Sequence, residues 1–173
     1  MRAAVVILNY KGWQDTKKCL AAMKKQTYTD FEIYLIDNGS GDDSVKELSK
    51  IKMKNLHFHQ EPNNTGFTGG VNIGIRWAIE QGFDAVALLN NDAAPEPDWL
   101  KNLAGALEQK PEVGAVTSLM LDTTGKFIDD AGDEYSTWGI PALRAEHLPK
   151  DQAPDSGLLF GATGGATLYR TKV

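Results

Sequence analysis

Two carboxylates placed directly after apolar runs are the side chains in this sequence best placed to do chemistry. Residues 85–89 form a strand-like apolar segment that stops abruptly at Asn90, Asn91 and Asp92, and Ile33-Tyr34-Leu35-Ile36 runs in the same way into Asp37-Asn38-Gly39-Ser40. In an open α/β sheet, ligands sit in the crevice outside the carboxyl ends of the strands. Asp92 with its neighbouring amides offers hard oxygen ligands to Mg2+ or Mn2+, cations that take few protein groups when substrate phosphates supply the rest. The same residue can also do no more than end the strand before Pro95. Asp37 can accept a hydrogen bond from the imide N–H of a uracil or thymine ring, with Tyr10 lying against the base. Equally, it can cap the turn made by Gly39 and Gly41.

A third segment, Pro62-Asn63-Asn64-Thr65-Gly66-Phe67-Thr68-Gly69-Gly70, leads into a helical pattern. Glycines let a backbone approach a ligand closely, and a helix N-terminus presents free N–H groups to a diphosphate. Tight packing of helix on sheet is the other use of the same glycines. Neither the G-x-G-x-x-G spacing nor the G-K-[ST] ending of a phosphate loop is present.

Other chemistries find little support. His57, His59 and His147 lack zinc-ligand spacing, and His57 and His59 alternate with Phe58 as solvent-facing strand residues would. Cys19 sits beside Leu20 and Met23 in a helical pattern, as a small core residue, and no serine lies in G-x-S-x-G. The cluster Asp129-Asp130 with Asp133-Glu134 reads as a solvated hairpin.

The elements that must position these residues alternate. Strands are expected over 3–8, 31–36, 56–60, 85–89, 113–121 and 161–169, and helices over 13–26, 42–52, 67–79 and 97–111. That order predicts βαβ units and a mostly parallel sheet. Beyond Leu121 the pattern loosens, and 132–157 is polar, rich in Gly and Pro and without periodicity. With 173 residues, a single domain with a sizeable core is expected. The net charge of −5 and scattered basic residues argue against nucleic acid as a partner, and a single cysteine excludes an intrachain disulfide. No apolar run approaches the roughly 20 residues of a membrane span, and the N-terminus has no signal-peptide pattern. The expected compartment is therefore the cytoplasm, and the sequon matches at Asn38 and Asn63 are read as chance.

Taken together, Val5-Val6-Ile7-Leu8-Asn9-Tyr10, Gln26-Thr27-Tyr28, Asp37-Asn38-Gly39-Ser40, Asn64 to Gly70 with Asn72, and Leu88-Leu89-Asn90-Asn91-Asp92 resemble the nucleotide-sugar half of a family 2 glycosyltransferase. The nearest subgroup is rhamnosyltransferase-like, of the kind that builds bacterial surface polysaccharides. The resemblance implies an α/β GT-A fold, a mostly parallel Rossmann-like sheet flanked by helices, as one domain over 1–173. It implies a UDP- or dTDP-sugar donor and a saccharide or lipid-linked saccharide acceptor. Asp37 would contact the base, with Asn9 and Tyr10 lining the same pocket. Asn64 and Gly66 would lie along the ribose and diphosphate, with Asn72 and Asn91 also at the donor, and Asp92 would hold the metal. The family's first acidic metal position is Asn90 here, which removes one charge.

The implied reaction is an inverting transfer to an acceptor hydroxyl. In the family its general base comes from an acidic Glu-Asp motif downstream of the segment that 164–170 resembles. This sequence stops before such a motif, so a donor-binding half without the base is expected, able to self-associate, and peripheral to the inner membrane face in a longer protein. A nucleotidyltransferase is disfavoured because Asn9-Tyr10-Lys11-Gly12-Trp13 lacks the basic Gly-rich segment of that class. A noncatalytic nucleotide-sugar-binding fragment is the alternative.

Overall fold

Residues 3–9 are apolar on both faces, the pattern of a parallel strand covered on both sides, and β1 (Ala3–Asn9) is buried along nearly its whole length. In the computed structural model, which describes residues 1–172, there follow α1 (Trp13–Met23), β2 (Phe31–Asn38), α2 (Ser44–Leu48), β3 (Leu56–Glu61), α3 (Gly66–Glu80), β4 (Ala85–Asn90) and α4 (Trp99–Gln109). The remaining strands are short: β5 (Ala115–Thr117), β6 (Met120–Leu121), β7 (Ile128–Asp130), β8 (Asp133–Tyr135), β9 (Pro141–Leu143) and β10 (Ala166–Arg170).

The main sheet has the order β3-β2-β1-β4-β10-β5. β1 pairs in parallel with both β2 and β4, and β2 with β3, whereas β10 is antiparallel to β4 and β5. This is a mostly parallel α/β sheet, as the alternation of strands and helices predicts. Chain order reverses beside β1, with β2 and β3 to one side and β4 to the other, so β1 lies at the topological switch point. The register sets Asn9 opposite Asp37 and Leu8 opposite Asn90, bringing three strand ends to one edge.

Alternation along β1 divides the core between the faces. Ala3, Val5 and Ile7 pack with Cys19, Leu20 and Met23 of α1 and with Leu100, Leu103 and Leu107 of α4. Ala4 and Val6 face Val71 and Ala78 of α3. Helix α3 lies unusually close to the sheet. A Cβ added at Gly70 would stand 2.5 Å from Leu8 Cδ1, and one at Gly74 2.5 Å from Val6 Cγ1.

Several boundaries differ from expectation. The strand expected over 113–121 is broken into β5 and β6 at Ser118, whose N–H and hydroxyl both bond the Ala166 carbonyl and whose oxygen also accepts Trp99 Nε1 at 2.8 Å. The helix expected over 13–26 ends at Met23 because Lys25 and Gln26 make tighter bonds to Ala22 and Met23. Gln26 instead serves α4: its side chain accepts from the Leu100 N–H at 3.0 Å and donates to the Glu96 carbonyl at 2.7 Å. The helix expected over 42–52 is only α2, and the strand expected from 161 begins at Ala166. The acidic cluster is not uniformly solvated, since Asp130 is buried and accepts the Gly132 N–H at 2.6 Å. His57 is half exposed beside Glu32, and His59 stacks on Tyr34. Among the described residues no helix is long and apolar enough to cross a membrane.

Candidate functional site

At the carboxyl edge of β1, β2 and β4 lies a cleft of about 400 Å³. Leu8 and Tyr10 come from β1 and the residue after it, Asn38 from β2, and Leu89 to Asp92 from β4 and its following turn. Asn64, Gly66 and Phe67 close it from the start of α3. Tyr10 is 45% and Phe67 54% exposed, and the Lys11 ammonium lies over the Tyr10 ring, 5.2 Å from its centroid. Lys11, next to Tyr10, holds a φ of 56°, a left-handed conformation rarely adopted by a side-chain-bearing residue. The Asn64 amide and the Lys11 ammonium lower the pKa of the Tyr10 hydroxyl from its ordinary value.

Beneath the cleft runs a line of buried polar groups. Asp37 is fully buried; its Oδ2 accepts from Asn9 Nδ2 at 2.7 Å and Ser40 Oγ at 2.6 Å, and its Oδ1 accepts the Ser40 N–H at 3.1 Å. The last of these is an Asx-type turn, the capping role open to this residue from the sequence. Asn9, also fully buried, accepts from Thr16 Oγ1 at 2.8 Å, and Thr16 in turn accepts from Asn91 Nδ2 at 3.0 Å. The relay Asp37–Asn9–Thr16–Asn91 thus ties β2, β1 and α1 to the turn after β4. Gly12 makes room for it, because a Cβ there would stand 2.8 Å from Asn91 Nδ2.

The glycines of the third segment divide between two tasks. Gly70 and Gly74 serve close packing on β1. Gly66 has a φ of 75° and nothing within 4 Å of where a Cβ would be, so it serves the backbone turn and leaves the cleft open.

Asp92 is exposed and reaches the cleft from the turn after β4. No group of three or more His, Cys, Asp or Glu side chains that could hold a metal ion occurs among the described residues. A cation caged by carboxylate, imidazole or thiolate side chains alone therefore does not fit. One carboxylate flanked by two amide oxygens does fit a hard cation that draws its remaining ligands from a diphosphate and water. Cys19 lies buried with its thiol donating to the Asn90 carbonyl, and burial pushes that thiol up to about 12.

Of the residues expected at the site, Tyr10, Asn64, Gly66, Asn91 and Asp92 line the cleft. Asn9 and Asp37 lie beneath it without exposed surface, and Asn72 is exposed on α3 outside the lining. Two participants carry no expectation from the sequence, Asn38 and Thr16. Thr16 had a legible signal, since it shares the buried face of α1 with Cys19, Leu20 and Met23 and is the one polar residue there.

The family description "Glycosyl transferase family 2" matches residues 4–173. A glycosyltransferase of Haemophilus influenzae described as uncharacterized is 26% identical over 145 residues, covering 81% of this chain and 44% of that protein. Among solved structures, residues 1–349 of S. aureus TarS in complex with UDP-GlcNAc superpose with a TM-score of 0.70 at 21% identity, covering 99% of this chain and 46% of that one. The mannosyltransferase PcManGT from Pyrobaculum calidifontis, in complex with GDP-Man and Mn2+, superposes with a TM-score of 0.62 at 23% identity over 69% of this chain and 36% of that one. The chain spans less than half the length of each of these relatives.

Proposed function

The chain belongs to glycosyl transferase family 2, and from that membership we propose that its cleft receives the nucleoside diphosphate of a sugar donor for inverting transfer to an acceptor hydroxyl. The observation that carries this reading is the convergence of Tyr10, Asn64, Gly66 and Asp92 on one cleft at the switch point of the sheet. Tyr10 offers its exposed face to a uracil or thymine. Asn64 and the backbone at Gly66 lie along the ribose and diphosphate, and Asp92 with the amide oxygens of Asn90 and Asn91 holds Mg2+ or Mn2+. Asp37 and Asn9 act from below, holding the strand ends in register. Asn72 takes no direct part.

In the reaction the acceptor oxygen forms a bond to the anomeric carbon from the face opposite the diphosphate. The bond from that carbon to the diphosphate oxygen breaks, and the leaving group carries off the electron pair. When bound, the cation offsets the charge that develops on the departing diphosphate. The acceptor proton requires a base, and Asp92, committed to the cation, is the only carboxylate lining the cleft among the described residues. These residues accordingly make up the donor half in this reading, with the base supplied from elsewhere in the protein. The wider role is bacterial cell-surface polysaccharide synthesis, with a saccharide or lipid-linked saccharide as acceptor. The lack of a second cleft carboxylate favours one other reading, nucleotide-sugar binding without transfer.

Calorimetric titration with UDP and with dTDP, with and without Mn2+, on wild type and Asp92→Ala tests the proposal. Metal-enhanced binding of either nucleotide that Asp92→Ala abolishes is the expected result, and the better ligand identifies the base. Absence of binding under all conditions overturns it. Binding without sugar transfer by the whole protein, in the presence of donor and acceptor, selects the noncatalytic reading.

A further inference from the structure

The end of β2 carries a side chain whose whole hydrogen-bonding capacity is committed to one turn of the cleft rim. Asn38 Nδ2 donates to Asn64 Oδ1 at 3.0 Å and to the Gly66 carbonyl at 3.1 Å. Its Oδ1 accepts from the Thr65 N–H at 3.1 Å and from Thr65 Oγ1 at 2.9 Å. A side-chain amide has two N–H donors and one oxygen with two lone pairs, so these bonds saturate it. Asn38 is 2% exposed, and buried polar groups are costly to leave unpaired.

The turn so gripped is the one that faces the ligand. Asn64 Oδ1 also accepts the Gly66 N–H at 2.8 Å, so two donors fix which way the Asn64 amide points. The same Asn64 amide is the largest influence lowering the pKa of the Tyr10 hydroxyl. Thr65 forms no side-chain cap with its own helix. The orphan N–H at the start of α3 is satisfied instead from a different strand. Gly39 presses the two segments together, for a Cβ there would stand 2.4 Å from the Asn63 carbonyl carbon.

We propose that Asn38 is a positioning residue that sets the Asn64–Gly66 rim, and through it the affinity of the cleft for a nucleoside diphosphate. The proposal rests on the donor-binding reading above. A purely structural Asn38 would affect stability and nothing else. A positioning Asn38 acts on the ligand through Asn64, so the effects of removing the two are not independent.

The test uses Asn38→Asp, which has the same size and keeps the acceptor for Thr65 but loses both donors. Asn38→Ala is the second variant should that one fail to fold, since it sets no carboxylate against Asn64 Oδ1. UDP affinity is measured with Mn2+ for wild type, Asn38→Asp, Asn64→Ala and the double variant, and amide hydrogen exchange is followed in the ligand-free chain. Each single variant is expected to weaken UDP binding about tenfold, the scale of one or two neutral hydrogen bonds. The double variant should bind within about twofold of the weaker single one, as for residues acting as a unit. Exchange at Thr65 and Gly66 should quicken while that of β1 stays unchanged. Wild-type UDP affinity in Asn38→Asp, a multiplicative loss of about 100-fold in the double variant, or unchanged rim exchange each overturns the proposal. A wild-type chain that binds no UDP overturns the donor reading instead. The exchange comparison then still decides the clamp.

Discussion

Asp37 and Asp92 occupy the same kind of position, directly beyond an apolar strand run, yet the fold puts them in opposite surroundings. Asp37 is fully buried and accepts three hydrogen bonds from Asn9 and Ser40. Asp92 stands exposed in the cleft. A strand end therefore does not by itself leave a carboxylate open to the cleft. What decides is how many local donors claim it. The segment after β2 folds back through Gly39 and presents the Ser40 N–H and hydroxyl to Asp37, whereas the turn after β4 leads away toward α4. The relay through Thr16 connects the two ends, so the closed site supports the open one.

This contrast can be broken by substitution. The largest effect is expected for Asp37→Ala, which strands the Asn9 amide and both Ser40 donors in a buried site. A loss of about 3 kcal/mol or more is expected in urea denaturation. A cost below ~1 kcal/mol would show that Asp37 is not the buried acceptor described here. Thr16→Val should come next, at about 1–2 kcal/mol, because it removes the hydroxyl shared by Asn9 and Asn91. It should also weaken UDP binding by loosening the turn that carries Asp92. Unchanged stability and affinity in this variant would disconnect the two ends.

Asp92→Asn is expected to leave stability within ~0.5 kcal/mol, as for an exposed side chain, while removing the Mn2+-dependent part of nucleotide binding. Stability loss comparable to that of Asp37→Ala would erase the contrast. The smallest effect concerns Cys19, which lies under the same cleft. With its pKa raised to about 12 by burial, the thiol should resist alkylation at pH 8 until the chain is unfolded. Rapid labelling of the native protein would show that the cleft floor opens to solvent.

The parallel core of the fold was legible because β1, β2 and β4 are apolar runs, and the helices between them carry recognisable buried faces. The short strands after Leu121 were not, since a pair of strands two or three residues long has too few positions to display a period. The break at Ser118 has no signal in the sequence for a different reason. It depends on a carbonyl of Ala166, nearly fifty positions away in the chain, and on the indole of Trp99. At the site, residue types and order pointed to Tyr10, Asn64, Gly66, Asn91 and Asp92, which line the cleft, but not to the burial of Asn9 and Asp37 beneath it. The Gln26-Thr27-Tyr28 segment illustrates the same limit. Its side chains bond Leu100, Glu96, Asp98 and the Met1 carbonyl, holding α4 and the N-terminus, partners that the motif itself does not name.

The sequence alone determined the family, the alternation of strand and helix, and the edge of the sheet at which the cleft opens. These follow from local periodicity and from short motifs whose order survives without any knowledge of contacts. Only the tertiary structure decided that Asp37 lies closed beneath the cleft while Asp92 opens into it, and that Asn38 and Thr16 belong to the site. Burial and hydrogen-bond partnership are set by which donors distant segments bring to a carboxylate or an amide. A chain read one residue at a time carries no record of that convergence.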